Sequence, residues 1–413
     1  MLRADPDKVK ASMQRRGAEI DLDALAELDR QFRRFTSEID ELRAQRKVAG
    51  MAIAQLPPEA RSGAIAQGKL DAARLEELEA ERAGLGEELD SRLRLVPNLV
   101  HPDAPEGKGD ESNRLVREVG QIPAFDFEPK DHLALGESLG IIDVTRAAKV
   151  SGSRFAIIRG KGALLQMAIT RMVIDRLTAK GFTPVIPPVL VREEAMYGTG
   201  FFPTDEAQVY RTADDALYLA GTSEVPIASM HSGEAFASSE LPVRYAGIST
   251  CFRREAGTYG KDTRGIIRVH QFDKVEMFSF CAPEESDNEH LRLLTLEEDI
   301  FQALEVPYRV LEISAGELAA PNYRKYDIEA WLPGGNRWLE VTSCSNDTDY
   351  QARRLGIRLK GESGALVHTL NGTAVALGRA IVALLENHQL ADGSVGLPAA
   401  LLPYAPFEVI ERP

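Results

Sequence analysis

The residues whose types and spacing offer the most chemistry lie in CFRREAGTYGKDTRGIIRVHQFDKVEMF, positions 251–278. Two strand-like arms flank a polar loop rich in glycine (Gly257, Gly260, Gly265) and in basic residues. Side chains alternate along a strand. The first arm therefore sets Arg253 and Glu255 on one face, and the second sets Arg268, Phe272 and Glu276 at matching alternation. An arginine fork grips phosphate, a carboxylate accepts from an exocyclic amine, and an aromatic ring stacks on a base. A nucleotide would fit such a face. The same composition also describes an exposed hairpin laced with ion pairs, and these residues alone leave both readings open. No GxxxxGKS/T or GxGxxG run occurs, so neither a P-loop nor a Rossmann site is indicated.

Four further segments stand in order around this one: FTPVIPPVLV at 182–191, GTSEVPI at 221–227, EVTSCSNDTDYQARR at 340–354 and HTLNGTAVALGRAIVALLENHQ at 368–389. The 251–278 stretch resembles motif 2 of class II aminoacyl-tRNA synthetases, in its seryl-tRNA synthetase form. The others resemble, in turn, motif 1 with Pro188 as its signature proline, the TxE loop, the EISSCSN segment and motif 3 of that family. A helical pair and a PNL…P.G…N linker precede them. The resemblance to bacterial-type seryl-tRNA synthetases thus covers nearly the whole chain.

That resemblance implies an α+β fold for 130–413, an antiparallel sheet with flanking helices. Ahead of it would come an N-terminal tRNA-binding domain with a coiled-coil arm at 1–105 and a linker at 106–129. It implies a serine–tRNA ligase that makes seryl-adenylate from L-serine and ATP, then loads tRNA(Ser), with tRNA(Sec) left open as a second substrate. It implies a cytoplasmic homodimer, assembled through motif 1, with tRNA bound across subunits. Arg253 would meet the α-phosphate, Glu255 the adenine amine and Val269 the base through its backbone, with Phe272 stacked beneath. Arg379 would stack on the other face or clamp the γ-phosphate. Arg254, Val341 and Thr342 would complete the ATP contacts, and Glu340 and Ser343 would hold Mg2+, a hard cation suited to oxygen donors.

Serine would be held by Thr222, Ser223 and Glu224 at its ammonium, by Arg253, and by Glu276 and Thr373 at its hydroxyl. Taken without the resemblance, Thr222 and Thr373 read as turn or helix N-cap residues, Arg379 as a surface arginine and Glu340 as an edge-strand carboxylate. Thr373 and Thr342 stand where the family commonly has serine, and both keep a hydroxyl. Two other readings stay open: a synthetase-like ligase that charges a carrier protein or biosynthetic intermediate, and an inactive paralogue. The arm speaks against the first. The presence of Arg253, Glu255, Glu340 and Arg379 together speaks against the second.

The elements that must position these residues follow from periodicity. Leu25, Leu28, Phe32, Phe35, Ile39 and Leu42 recur at 3–4 spacing, the seam of a coiled coil. After a break at Pro57, Pro58 and Gly63, Leu75, Leu78, Leu85 and Leu89 repeat the pattern, predicting an antiparallel hairpin. Its first helix carries Arg30, Arg33, Arg34, Arg43, Arg46 and Lys47 against Glu38, Asp40 and Glu41, while the second is mostly acidic. Those cations read either as partners in ion pairs on a solvated surface or as a phosphate-binding face. Beyond Pro97 a helix is predicted at 163–181 and another at 374–388. Strands are predicted near 183–186, 243–250, 266–277, 308–313, 328–331 and 337–342, an α+β pattern.

Bulk properties narrow the class. No stretch approaches the roughly 20 apolar residues of a membrane span, and the N-terminus has no apolar core of the secretory kind, which predicts a cytosolic protein. Cys251, Cys281 and Cys344 form no CxxC pair and no zinc spacing, so reduced structural thiols are expected and zinc is not. A net charge of −14 disfavours indiscriminate nucleic-acid binding but not a local basic patch.

Overall fold

The computed structural model describes residues 2–53, 55–257, 264–361 and 364–412, and contacts divide the chain into units 1–97 and 98–413. The first unit holds α1 (Pro6–Arg16), α2 (Leu22–Ile53) and α3 (Pro58–Arg94). Helix α1 is not marked in the apolar periodicity; Asp5 caps it by accepting from the Lys8 backbone N–H. Pro58 takes the first turn of α3, where a missing N–H costs nothing. The proline that breaks one helix therefore starts the next, and Gly63 lies inside α3 rather than in the connection. Leu25, Leu28 and Ile39 of α2 and Leu78 and Leu89 of α3 are buried. Gly86 lets the helices close on Phe32, since a Cβ there would stand 3.1 Å from the ring.

The second unit is built on one sheet. Its strands are β1 (Arg114–Val119), β2 (Thr183–Val185), β3 (Val243–Phe252), β4 (Gln271–Cys281), β5 (Tyr308–Glu312), β6 (Arg324–Leu332), β7 (Arg337–Thr348) and β8 (His368–Ala376). They lie in the order β1-β5-β6-β7-β8-β4-β3-β2. Only the β2–β3 pair is parallel. Helices α4 (Lys161–Ala179), α5 (Ser286–Ala303) and α6 (Leu377–Asn387) cover one face and share a core with it, including Val275, Met277, Ile328, Val341 and Ala374. Residues 98–104 pack in this unit. Asn98 donates its side-chain amide to the carbonyls of Pro321 (2.8 Å) and Asp347 (2.7 Å), and Val100 and Ala104 join Leu311 and Ile313. Strand β1 stands where the sequence suggests only linker.

Two predicted elements need correction. The strand expected from 266 begins at Gln271, where pairing with Phe252 of β3 starts; residues 264–270 turn and bend ahead of it, with Ile266 and Ile267 buried. Arg268 and Val269 therefore sit in the connection that precedes β4. The helix expected from Ala374 begins at Leu377, and Asn371-Gly372 is neither turn nor cap but the middle of β8. Gly372 is there for close approach: a Cβ would lie 2.9 Å from Glu297 and 3.1 Å from Cys344.

Four register shifts interrupt this sheet, and two of them shape its open face. Across β6 and β7, Ile328 faces Thr342 but Glu329 faces Glu340, so Val341 is the extra residue. Across β4 and β8, Val275 faces Val375 but Glu276 faces Thr373, so Ala374 is extra. A bulge reverses which face the following side chains take. Here each turns polar residues onto the face that the helices leave open.

Candidate active site

The open face holds a cleft floored by β4, β7 and β8. Phe272, Lys274 and Glu276 enter it from β4 by simple alternation. Beyond the end of β3, Arg253 lays its guanidinium 5.3 Å from the Phe272 ring centre and donates through Nε to the Gly221 carbonyl at 3.2 Å. Glu255 follows with φ +51°, a conformation few side chains adopt. Its carboxylate pairs with Arg268 at 2.6 Å, and Arg154 donates to its carbonyl. Arg379, in the first turn of α6, donates to the Glu340 carbonyl at 2.6 Å and faces its carboxylate at 3.3 Å. The Glu340 carboxyl is raised by desolvation, but Arg379, Lys325, Arg253 and Arg268 outweigh that and hold it below its ordinary value. This end of the cleft is a set of cations around one ring and two carboxylates.

The other end is closed. Lys274 and Glu276 touch, and both are nearly inaccessible. Lys274 Nζ also donates to Thr222 Oγ1 at 2.9 Å, and Thr373 Oγ1 lies 3.5 Å from Glu276. Glu224 reaches the same space, accepting on Oε1 from Gln351 at 2.7 Å and Asn371 at 3.2 Å. Burial, then the charges of Asp347 and Glu276, push its carboxyl up to about 8. Glu224, Glu276 and Thr373 line this end together and offer it two carboxyl groups and a hydroxyl.

Comparison with known proteins decides the family. Residues 1–100 match the seryl-tRNA synthetase N-terminal domain, and residues 208–388 match the class II tRNA synthetase core domain (G, H, P, S and T). The serine–tRNA ligase of Nocardia farcinica is 49% identical, over 100% of this chain and 99% of its own length. That of Thermobifida fusca is 50% identical over 99% and 97%. The chain belongs to the seryl-tRNA synthetase family. Its structure superposes on seryl-tRNA synthetase from Pyrococcus horikoshii complexed with ATP with a TM-score of 0.95, at 41% identity over 100% and 98% of the two chains. For the cytoplasmic serine-tRNA ligase of Naegleria fowleri in complex with AMP the TM-score is 0.89, at 31% identity over 99% and 96%.

Within this seryl-tRNA synthetase fold, most of the residues marked by sequence meet in one place. Arg253, Glu255, Val269, Phe272, Glu340, Val341, Thr342, Ser343 and Arg379 line the cleft, as do Glu224, Glu276 and Thr373. Others do not. Arg254 is exposed outside it. Ser223 is buried with its hydroxyl toward the Gly247 carbonyl, and Thr222 acts through Lys274 rather than from the wall. The Thr342 hydroxyl donates to Glu297 of α5, behind the sheet, at 2.8 Å. Lys274, Arg268 and Asn371 line the cleft as well. The alternation Phe272-Lys274-Glu276 marks Lys274 in the sequence, whereas Asn371 is hidden by its turn-like Asn-Gly pair.

The arm cations are unequal. Arg30 pairs with Glu27, Arg33 with Asp29 and Arg43 with Glu79. Arg34 lies over the Phe35 ring, and Arg34, Arg46 and Lys47 show no ion pair among the described residues. All three cysteines are buried and free. Gly260 falls outside the described residues.

Proposed function

We propose that this chain activates L-serine with ATP and transfers it to the 3′ end of tRNA(Ser). The observation that carries the reading is one cleft with two unlike ends: cations around a ring at one, and a closed carboxylate-and-hydroxyl pocket at the other. ATP would lie with its base on Phe272, its exocyclic amine toward Glu255 and Val269, and its phosphates between Arg253 and Arg379. Serine would set its ammonium against Glu224 and its hydroxyl between Glu276 and Thr373. Sites that hydrogen-bond a substrate hydroxyl reject the analogue lacking it by about 10⁴–10⁵. Discrimination against threonine would require the same walls to exclude its extra methyl.

The reaction needs positioning and charge neutralisation rather than a general base. The serine carboxylate attacks the α-phosphorus in line, a P–O bond forms, and the bond to the β-phosphate oxygen breaks to release pyrophosphate. Arg253 neutralises charge that grows on the α-phosphoryl oxygens. The terminal ribose hydroxyl of tRNA then attacks the mixed anhydride's carbonyl carbon, and AMP departs. Glu340, ionised and half-exposed to the cleft, and Ser343 beside it form an oxygen donor pair that fits Mg2+, which takes one or two protein oxygens and completes its shell with phosphate and water. When bound there it would neutralise phosphate charge.

Residues 1–105 would bind tRNA, 106–129 would link, and 130–413 would catalyse. The unpaired arm cations Arg34, Arg46 and Lys47 are the better phosphate candidates. A homodimer is supported by exposed apolar residues on α4 (Leu164, Met167) and beside β2 (Ile186, 82% exposed). A cytoplasmic setting is part of the proposal; among the described residues no helix is long and apolar enough to cross a membrane. Serine-dependent pyrophosphate exchange followed by charging of tRNA(Ser) and tRNA(Sec) transcripts tests the whole reading. Exchange without charging of any tRNA would leave the carrier-ligase alternative in its place.

A further inference from the structure

Behind Glu224 lies a second carboxylate that the reaction as described does not use. Asp347, near the end of β7, is fully buried. Its Oδ1 accepts from Asn322 at 2.8 Å and its Oδ2 from Asn371 at 3.0 Å. These two contacts come from N–H donors, which favour the charged form of Asp347. The same Asn371 nitrogen reaches Glu224 Oε1 at 3.2 Å, so one amide bridges two buried carboxyl groups. A negative charge on one opposes ionisation of the other, and the charge of Asp347 raises the Glu224 carboxyl.

The partners divide the work unevenly. On Glu224, Gln351 and Asn371 both donate to Oε1, and Glu224 reaches the cleft wall. The charged groups facing Glu224 are Asp347 and Glu276, which oppose its ionisation, and Lys274, which favours it but is already engaged with Glu276 and Thr222. Gln351 Nε2 also donates to the Thr199 carbonyl at 3.3 Å, which holds the amide in this orientation, so a proton on Glu224 belongs on Oε2 and not on the oxygen that both amides engage. Burial and Asp347 together push Glu224 up to about 8 in the empty pocket.

We propose that Asp347 is a positioning residue whose buried charge keeps a proton on Glu224 until a substrate ammonium arrives, so that amino-acid binding releases a proton. This rests on the assignment of Glu224 to the serine ammonium. The balance is simple. The ammonium brings its own positive charge to Glu224, the carboxyl proton leaves to solvent, and the pocket's net charge is conserved. Empty, the pocket holds one negative charge on Asp347 rather than two adjacent ones.

Titration calorimetry of serine into the full chain, in two buffers of different ionisation enthalpy, counts the protons. With Glu224 near 8 when empty, the expected release is roughly nine-tenths of a proton per serine at pH 7, and serine affinity weakens about tenfold from pH 7 to pH 6. No release at pH 7 overturns the proposal. Asp347→Asn and Asp347→Ala, each checked for folding by unchanged ATP affinity, should release fewer protons at pH 7 and flatten the pH profile of the serine KM. Undiminished release in a folded variant removes Asp347 from the mechanism. Glu224→Gln separates this inference from the reading beneath it. A raised serine KM in that variant, with no proton release by the wild type, sinks only the inference, whereas an unchanged serine KM sinks the assignment of Glu224 itself.

Discussion

The two ends of the cleft use the same residue types under opposite conditions. At the end proposed for the nucleotide the pairs are more open: Arg268 and Glu255 are 28% and 10% exposed, Arg379 and Glu340 22% and 48%. At the end proposed for the amino acid Lys274 and Glu276 are 6% and 2% exposed. Open pairs lose little when water or a phosphate replaces one partner, so arginines there are free to turn from carboxylate to triphosphate. A buried pair cannot exchange partners cheaply. It fixes the shape and charge of its pocket instead. Breadth of contact at one end and rigidity at the other suit a large, flexible, polyanionic substrate and a small one that must be measured.

Substitutions can break this contrast in graded steps. The largest effect should follow Lys274→Ala, which strands Glu276 without its cation and costs about 3–5 kcal/mol of stability; urea denaturation reads it. A loss within that of a surface pair would mean the two ends do not differ. Next, Arg253→Ala should slow serine-dependent pyrophosphate exchange by at least ~10²-fold, as for loss of a transition-state charge contact, with stability nearly intact. Near-normal exchange would remove Arg253 from its role. Arg268→Ala should be milder still, raising the ATP KM only a few-fold, on the scale of about 1 kcal/mol for a partly exposed pair, with the serine KM unchanged. A shift in the serine KM instead would show that the ends are coupled. Arg46→Glu with Lys47→Glu should leave exchange untouched and weaken charging, with a shallower salt dependence than the parent. Equal salt slopes would argue that neither cation meets phosphate.

The legibility of the molecule followed the same divide. The end proposed for the nucleotide is carried by one short stretch and one helix turn, so a resemblance of ordered motifs could mark Arg253, Glu255, Phe272 and Arg379, although spacing alone left the first three open to an ion-paired hairpin and Arg379 to a surface arginine. The family was legible for the same reason, as was the coiled coil, whose 3–4 spacing survives in Leu25, Leu28, Leu78 and Leu89. The amino-acid end is assembled from residues far apart in sequence, and its members answer to tertiary partners. Asn371 looked like a turn because Asn-Gly is a turn pair, and only the close approach of Glu297 and Cys344 explains the glycine in a strand. Thr342 looked like a ligand contact because its neighbours are, yet its hydroxyl is taken by Glu297 behind the sheet. Nothing local announces Asp347.

The extra residue at Val341 also bears on how this chain can change. Glu340 and Ser343 are three apart, a spacing that puts side chains on opposite faces of a regular strand. They share a face only because the chain takes one additional step between them. Deleting Val341 would leave the two at i and i+2 of a regular strand, still on one face. Keeping Val341 but closing the bulge into regular pairing would instead send one of them into the core, as would one residue added in regular strand between them. Loss of the extra residue is thus compatible with the shared face and gain of one is not, so added length in β7 must fall outside the segment between Glu340 and Ser343.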